Sequence, residues 1–200
     1  MSTYKEKLDA LTADLLSFWT SLAESSSNSA AAAAAAAGGG GGGGATSDIA
    51  AAAAAAAGVE GSQAVVFVAG RASIGAVASH LYNLGVSAAT LFGGMQQQER
   101  RDVYVKFKSS KHQVLVATSV AARGLDFPNV GFVINFDLPP TIEVYVHRIG
   151  RTGRAGRTGK AVAYFSLKDR SLASPLIAQL TKAKAPIPPW LDRIAAGGNP

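Results

Sequence analysis

From Ala64 onward the chain alternates short unbroken apolar runs with stretches of helical spacing, and few folds accommodate that pattern. Ala64–Ala69 (AVVFVA) is continuous and rich in β-branched residues, as a parallel strand covered on both faces should be. Ala88–Phe92, Gln113–Ala117 (QVLVA), Gly131–Phe136 (GFVINF) and Ala161–Ser166 (AVAYFS) repeat the theme. Between them lie helical spacings. Ile74, Val77, Leu81 and Leu84 share one face of residues 72–84, with Gly85 placed to end that helix. Val103 and Phe107 point inward from Gln96–Lys108. Ile142, Tyr145, Val146 and Ile149 follow Pro139-Pro140, with Thr141 placed to cap. A last helix is expected from about Leu172 to Lys182. Strand, helix, strand with crossovers of this length gives a parallel α/β sheet with helices on both faces, of five or six strands.

The amino-terminal third reads differently. Leu8, Leu11, Leu15, Phe18, Trp19 and Leu22 recur at three- and four-residue steps, so residues 4–23 form an amphipathic helix with a core-facing stripe. Composition then collapses into Ala30–Ala37, Gly38–Gly44 and Ala50–Ala57. Alanine favours helix but offers little to bury, and a run of glycines cannot hold one. The organisation expected is an entering helix (1–24), a disordered Ala/Gly-rich insertion (25–62), the α/β domain (63–184) and a proline-rich tail (185–200).

Charge narrows the partners. Residues 91–170 hold 13 Lys and Arg against 6 Asp and Glu, which accounts for the net charge of +6 and favours an acidic partner such as nucleic acid. With no cysteine there is neither a disulfide nor a thiolate metal site. The charged start and the absence of a long, strongly apolar run predict an intracellular protein, cytoplasmic or nuclear, with no membrane segment.

Parallel sheets bind ligands past the carboxyl ends of their strands. Here those positions are Gly70-Arg71, Gly93-Gly94, Thr118-Ser119 and Asp137-Leu138. Three of the four offer bare amides or a hydroxyl, which grip a phosphate backbone without reading bases. Gly93-Gly94 leads into a helix on which Gln97 and Arg100 share a face. In VLVATSVAARGLD (Val114–Asp126), Arg123 and Asp126 bracket Gly124. The two can simply pair, or the carboxylate can accept bonds from ribose hydroxyls. The most specific stretch is His147-Arg148-Ile149-Gly150-Arg151-Thr152-Gly153-Arg154. Its planar, permanently charged forks suit the oxygens of a phosphate chain.

These stretches together resemble the DEAD-box RNA helicases, in their Vasa-like branch. HRIGRTGR resembles that family's last motif residue for residue. AVVFVAG, LFGGMQQQER and ATSVAARGLD are similar to motifs of its second RecA-like lobe, as are NVGFVINFDLPPTIEVY and TKAKAPIPPWL. The match runs from about Ala64 to Leu191, and the first helix fits the segment entering that lobe.

The resemblance implies a RecA-like helicase C-terminal domain that completes an ATP site shared with a first lobe, supplied in cis or in trans. Arg151 and Arg154 would be arginine fingers on the γ-phosphate, His147 the link to the other lobe, and Gly124 with Asp126 the ribose contact. Gly70, Gly93, Gly94, Gln97, Arg100 and Thr118 would line the RNA backbone. The sequence contains no Gly-x-Gly-Lys-Thr loop and no Asp-Glu-Ala-Asp, so ATP and Mg2+ are expected only with the first lobe, and no turnover from this chain alone. No metal ligand is assigned within it. Two departures bear on RNA affinity: Phe92-Gly93-Gly94 stands where the family shows His-Gly-Asp, and Ala69-Gly70 where it shows an acid or amide followed by Thr. The competing expectations are a stand-alone RNA- or partner-binding module without nucleotide chemistry, and a helicase acting on DNA.

Overall fold

A computed structural model describes residues 3–25, 45–57, 59–122, 125, 127, 129–153, 156 and 158–198. One parallel sheet organises them: β1 (Gln63–Phe67), β2 (Ala88–Leu91), β3 (Val114–Ala117), β4 (Val130–Asn135) and β5 (Lys160–Ala163), in the order β2-β3-β1-β4-β5. Val66 lies opposite Val116 on one side and Ile134 on the other, so β1 is central. β1 and β3 are buried along their whole length, as unbroken apolar runs require. The strands sit within a few residues of their expected places. β5 ends earliest, at Ala163, although the Tyr164 N–H still donates to the Asn135 carbonyl.

Because strand side chains alternate, the sheet divides its apolar residues between two cores. Ala64, Val66, Val116 and Ile134 face α1 (Tyr4–Ser25), α2 (Ala45–Ala55) and α3 (Arg71–Asn83). Val65, Phe67, Leu115 and Val133 face α4 (Gln97–Lys108) and the short α5 (Ser119–Ala122). The spacing in α3 holds, with Ile74, Val77 and Leu81 buried, and Gly85 follows it at φ +73°, a left-handed value that suits glycine. On α1, Leu11, Leu15, Phe18 and Trp19 are buried, while Leu8 and Leu22 are half-covered. Phe18 packs on Phe132 at 4.8 Å between ring centres. Burial of each such side chain stabilises by about 1.5–3 kcal/mol. The Trp19 indole N–H donates to the Ser62 carbonyl at 2.8 Å, which fastens α1 to the entry of β1.

Within the span expected as a structureless insertion, the structure forms α2. Ile49 and Ala56 are fully buried and Ala53 is 1% exposed, packed in the same core as α1. One isoleucine is enough to anchor the helix, and alanine supplies propensity and lets backbones approach closely. Residues 26–44 lie outside the described residues. Ile49→Ala should cost about 2–4 kcal/mol. For a chain of this size that is a fall of about 4–15 °C in Tm, read by thermal unfolding. A change under 2 °C would mean that α2 does not hold the core.

After β4 comes α6 (Ile142–Ile149), with Thr141 at its N-cap position. The expected cap bond is not made: the threonine side chain closes on no helix amide. A third cluster then forms beyond the sheet. The 3-10 turn Leu167–Leu172, α7 (Ala173–Lys182) and α8 (Pro189–Ala195) bury Leu172, Leu176, Leu191 and Ile194 together with Leu138. The region expected as a proline-rich tail therefore carries a helix, because a proline at the first helical position needs no amide partner. Among the described residues no helix is long and apolar enough to cross a membrane.

Candidate functional site

At the carboxyl ends of β2, β3 and β1 the chain narrows to small residues. Gly70 precedes α3 with an extended backbone, and Gly93 and Gly94 follow β2. A Cβ built on any of the three would meet nothing within 4 Å, so their backbone is open to a ligand. Gly94 has φ +91°, which a residue with a side chain rarely adopts. Thr118, at the end of β3, is half-buried and its N–H donates to the Leu91 carbonyl. Gln97 opens α4 exposed. Arg100 is half-buried and turned inward: Nη2 donates to the Ala121 carbonyl at 3.2 Å and Nη1 to Gln97 Oε1 at 3.4 Å. Its Nε is buried without a partner. Arg100 thus braces α4 against α5, the helix that follows Thr118.

The second half of the edge is built by α6. His147 is exposed and Arg151 half-buried, and both line a cavity of about 300 Å³ with Phe67, Ser119, Ala122 and Val144. Arg151 Nη1 donates to the Leu125 carbonyl at 2.8 Å, and Nε to the His147 carbonyl at 3.3 Å. The chain from β3 into α5 and the helix after β4 therefore converge on one concavity. Gly124, Asp126 and Arg154 lie outside the described residues.

The profile of the helicase conserved C-terminal domain matches residues 50–156. The chain belongs to that family. It is a C-terminal lobe of the DEAD-box kind, with the RecA-like parallel sheet of such lobes. A similar relative is the probable ATP-dependent RNA helicase DDX4 of Macaca fascicularis, 48% identical over 134 residues, covering 66% of this chain and 18% of that protein. The helicase lobe thus spans about a fifth of the relative it matches. The yeast DEAD-box splicing factor Prp28 superposes with a TM-score of 0.63 at 30% identity, covering 68% of this chain and 31% of that one. S. cerevisiae Dbp5 bound to RNA and ADP BeF3 superposes with a TM-score of 0.52 at 34% identity, covering 60% and 32%.

In this helicase lobe the residue that joins the two halves of the edge is Arg148, which the basic run counted among its phosphate-directed forks and the structure instead turns inward. Arg148 is 4% exposed. Its Nε donates to Ser119 Oγ at 2.9 Å, and Nη1 donates to Asn135 Oδ1 at 2.9 Å and the Asp137 carbonyl at 2.6 Å. The guanidinium also lies 4.9 Å above the Phe67 ring. Burial pulls its pKa down to about 10, against the opposing pull of Asp137, so it stays charged at neutral pH. Behind it Asp137 accepts from Lys7 Nζ at 3.1 Å and from the Ala69 N–H at 3.0 Å. Burial works to raise the Asp137 pKa, but the Ala69 amide and the charges of Lys7 and Lys168 outweigh it and hold the carboxyl below its ordinary value. Arg148 could have been found. It follows Tyr145 by three residues and so falls on the apolar face of α6, where a charge needs partners. Asn135 and Asp137, polar groups at the end of an apolar strand, are those partners. Among the described residues no three acidic or histidine side chains gather as metal ligands.

Proposed function

We propose that this lobe completes the ATP site of an RNA helicase and holds RNA by its backbone. Arg151 and Arg154 stabilise the charge that develops on the γ-phosphoryl group, and His147 couples the site to the first lobe. Gly124 and Asp126 meet the ribose. The glycine-lined end of β1, β3 and β2, with Gln97, Arg100 and Thr118, grips phosphates and 2′-hydroxyls with little sequence preference. Magnesium and the attacking water rest on the first lobe, joined in cis or in trans.

The observation that carries this reading is the convergence of His147 and Arg151 on one concavity, with Arg148 tying it to the strand end that bears Thr118. The structural neighbour bound to both RNA and a nucleotide analogue supports it. The test is RNA-stimulated ATP hydrolysis by the chain alone, and by the chain fused to a first lobe from a close relative. Turnover is expected only from the fusion. RNA-dependent turnover by the chain alone, or a fusion that gives none while the lobe stays folded, would sink the reading.

A further inference from the structure

We propose that Asp137 is a positioning residue that ties the edge assigned to RNA to the cavity assigned to ATP, so that each ligand is felt at the other's site. The inference rests on the two-ligand reading above and adds a residue to which that reading gives no part. Asp137 is the second residue past β4 and is 6% exposed. Its N–H donates to the Phe67 carbonyl at 3.1 Å, which carries the β1–β4 ladder one step beyond the end of β4. In a parallel ladder the next bond runs from the Ala69 N–H to the Asp137 carbonyl. Here it does not form. The carbonyl accepts instead from Arg148 Nη1 at 2.6 Å, and the carboxylate of the same residue takes the amide, with Oδ2 3.0 Å from the Ala69 nitrogen. Pro139 has no N–H to offer the step after that, so the ladder ends on this exchange.

One residue therefore holds both sides, its main chain turned to one and its side chain to the other. Ala69 leads into Gly70, whose backbone is open. Arg148 lines the cavity beside His147 and Arg151. The carboxylate is not free to swing away. Its Oδ1 accepts from Lys7 Nζ at 3.1 Å, the same ammonium donates to the Phe136 carbonyl at 2.8 Å, and Lys168 Nζ lies 3.6 Å from that oxygen. A charge bound in the cavity acts on α6, Arg148 draws on the main chain of Asp137, and the carboxylate carries the Ala69–Gly70 peptide with it. Asp137 touches neither ligand and works only through these partners. Two sites joined in this way change each other's affinity by the same factor.

The experiment uses the full chain fused to a first lobe, as above, and measures the Kd of a fluorescent single-stranded oligoribonucleotide without nucleotide and with ADP BeF3. The ratio of the two is the coupling. Two double variants are compared, Lys7→Met/Asp137→Asn and Lys7→Met/Asp137→Ala. Both lack the buried ion pair and so lose its stability alike, but only asparagine keeps an oxygen for the Ala69 amide. The ratio should stay within about twofold of wild type in the asparagine variant and fall about five- to tenfold in the alanine variant, while the Kd without nucleotide moves less than about twofold in both. Thermal unfolding sets an assay temperature at which both are folded. Equal loss of the ratio in the two variants would show that Asp137 serves only the ion pair and overturn the proposal. A wild-type ratio in the alanine variant would overturn it as well. A wild-type fusion that hydrolyses ATP with RNA but binds RNA equally with and without ADP BeF3 would sink this inference and leave the function reading standing. A fusion with no RNA-stimulated turnover would bring down that reading, and this inference with it.

Discussion

Arg151→Ala, in this lobe fused to a matching first lobe, is expected to lower kcat for RNA-stimulated ATP hydrolysis by about 10³-fold or more, while the Kd for RNA moves less than about twofold. The asymmetry follows from where the charge acts. Its Nη1 is held by the Leu125 carbonyl and its Nε by the carbonyl of His147, so the guanidinium is fixed at the cavity wall before any ligand arrives. A charge fixed in advance is most valuable where charge builds only in the transition state. Arg151→Lys should recover little, because an ammonium cannot hold the Leu125 carbonyl and present a second donor in the same plane. Steady-state rates against RNA concentration separate the two parameters. An equal loss of RNA affinity and turnover would mean that the cavity and the glycine-lined edge are one surface.

The second large effect is on stability. Arg148→Met takes the donor away from Asn135 Oδ1, the Asp137 carbonyl and Ser119 Oγ at a site that is 4% exposed. Removing one side of a buried charged network costs about 3–5 kcal/mol, or a fall of about 6–20 °C in Tm for a chain of this length. Arg148→Lys should fall between the two, since one ammonium cannot serve the Ser119 and Asn135 sides together. Thermal unfolding of the three proteins checks the order. A methionine variant within about 2 °C of wild type would show that the network stabilises nothing.

The strands and the helices packed on them were legible because their residues carry their own reasons: β-branched runs at β1, β3 and β4, and a three-four stripe on α1. What escaped depends on neighbours. Ile49 stands alone among alanines, and nothing local says that a core exists for it to enter. Pro188-Pro189 reads as the end of structure, yet Pro189 starts α8 because Leu191 and Ile194 find Leu172 and Leu176. At the candidate site, the glycine pairs and the basic run were visible as patterns. That Arg100 turns to the Ala121 carbonyl, and that Arg148 reaches Ser119, could be known only once α5 and α6 were placed, although the burial of Arg148 was readable from its face of the helix.

The bond between Lys7 and Asp137 joins residues 130 apart in the chain, and Tyr164 donates to Asp14 across 150. Contacts of such separation reward the chain only after most of its loop entropy has been lost, so topologies rich in them fold slowly. On a ribosome α1 is made first, yet the partners that finish its seat, Phe132, Phe136 and Asp137, are made much later. Until then Leu11, Leu15, Phe18 and Trp19 have only α2 to pack against and the sheet face of their core is missing, which leaves apolar surface open to aggregation. The carboxyl edge, anchored by Asp137 and Arg148, cannot be completed before those residues are made.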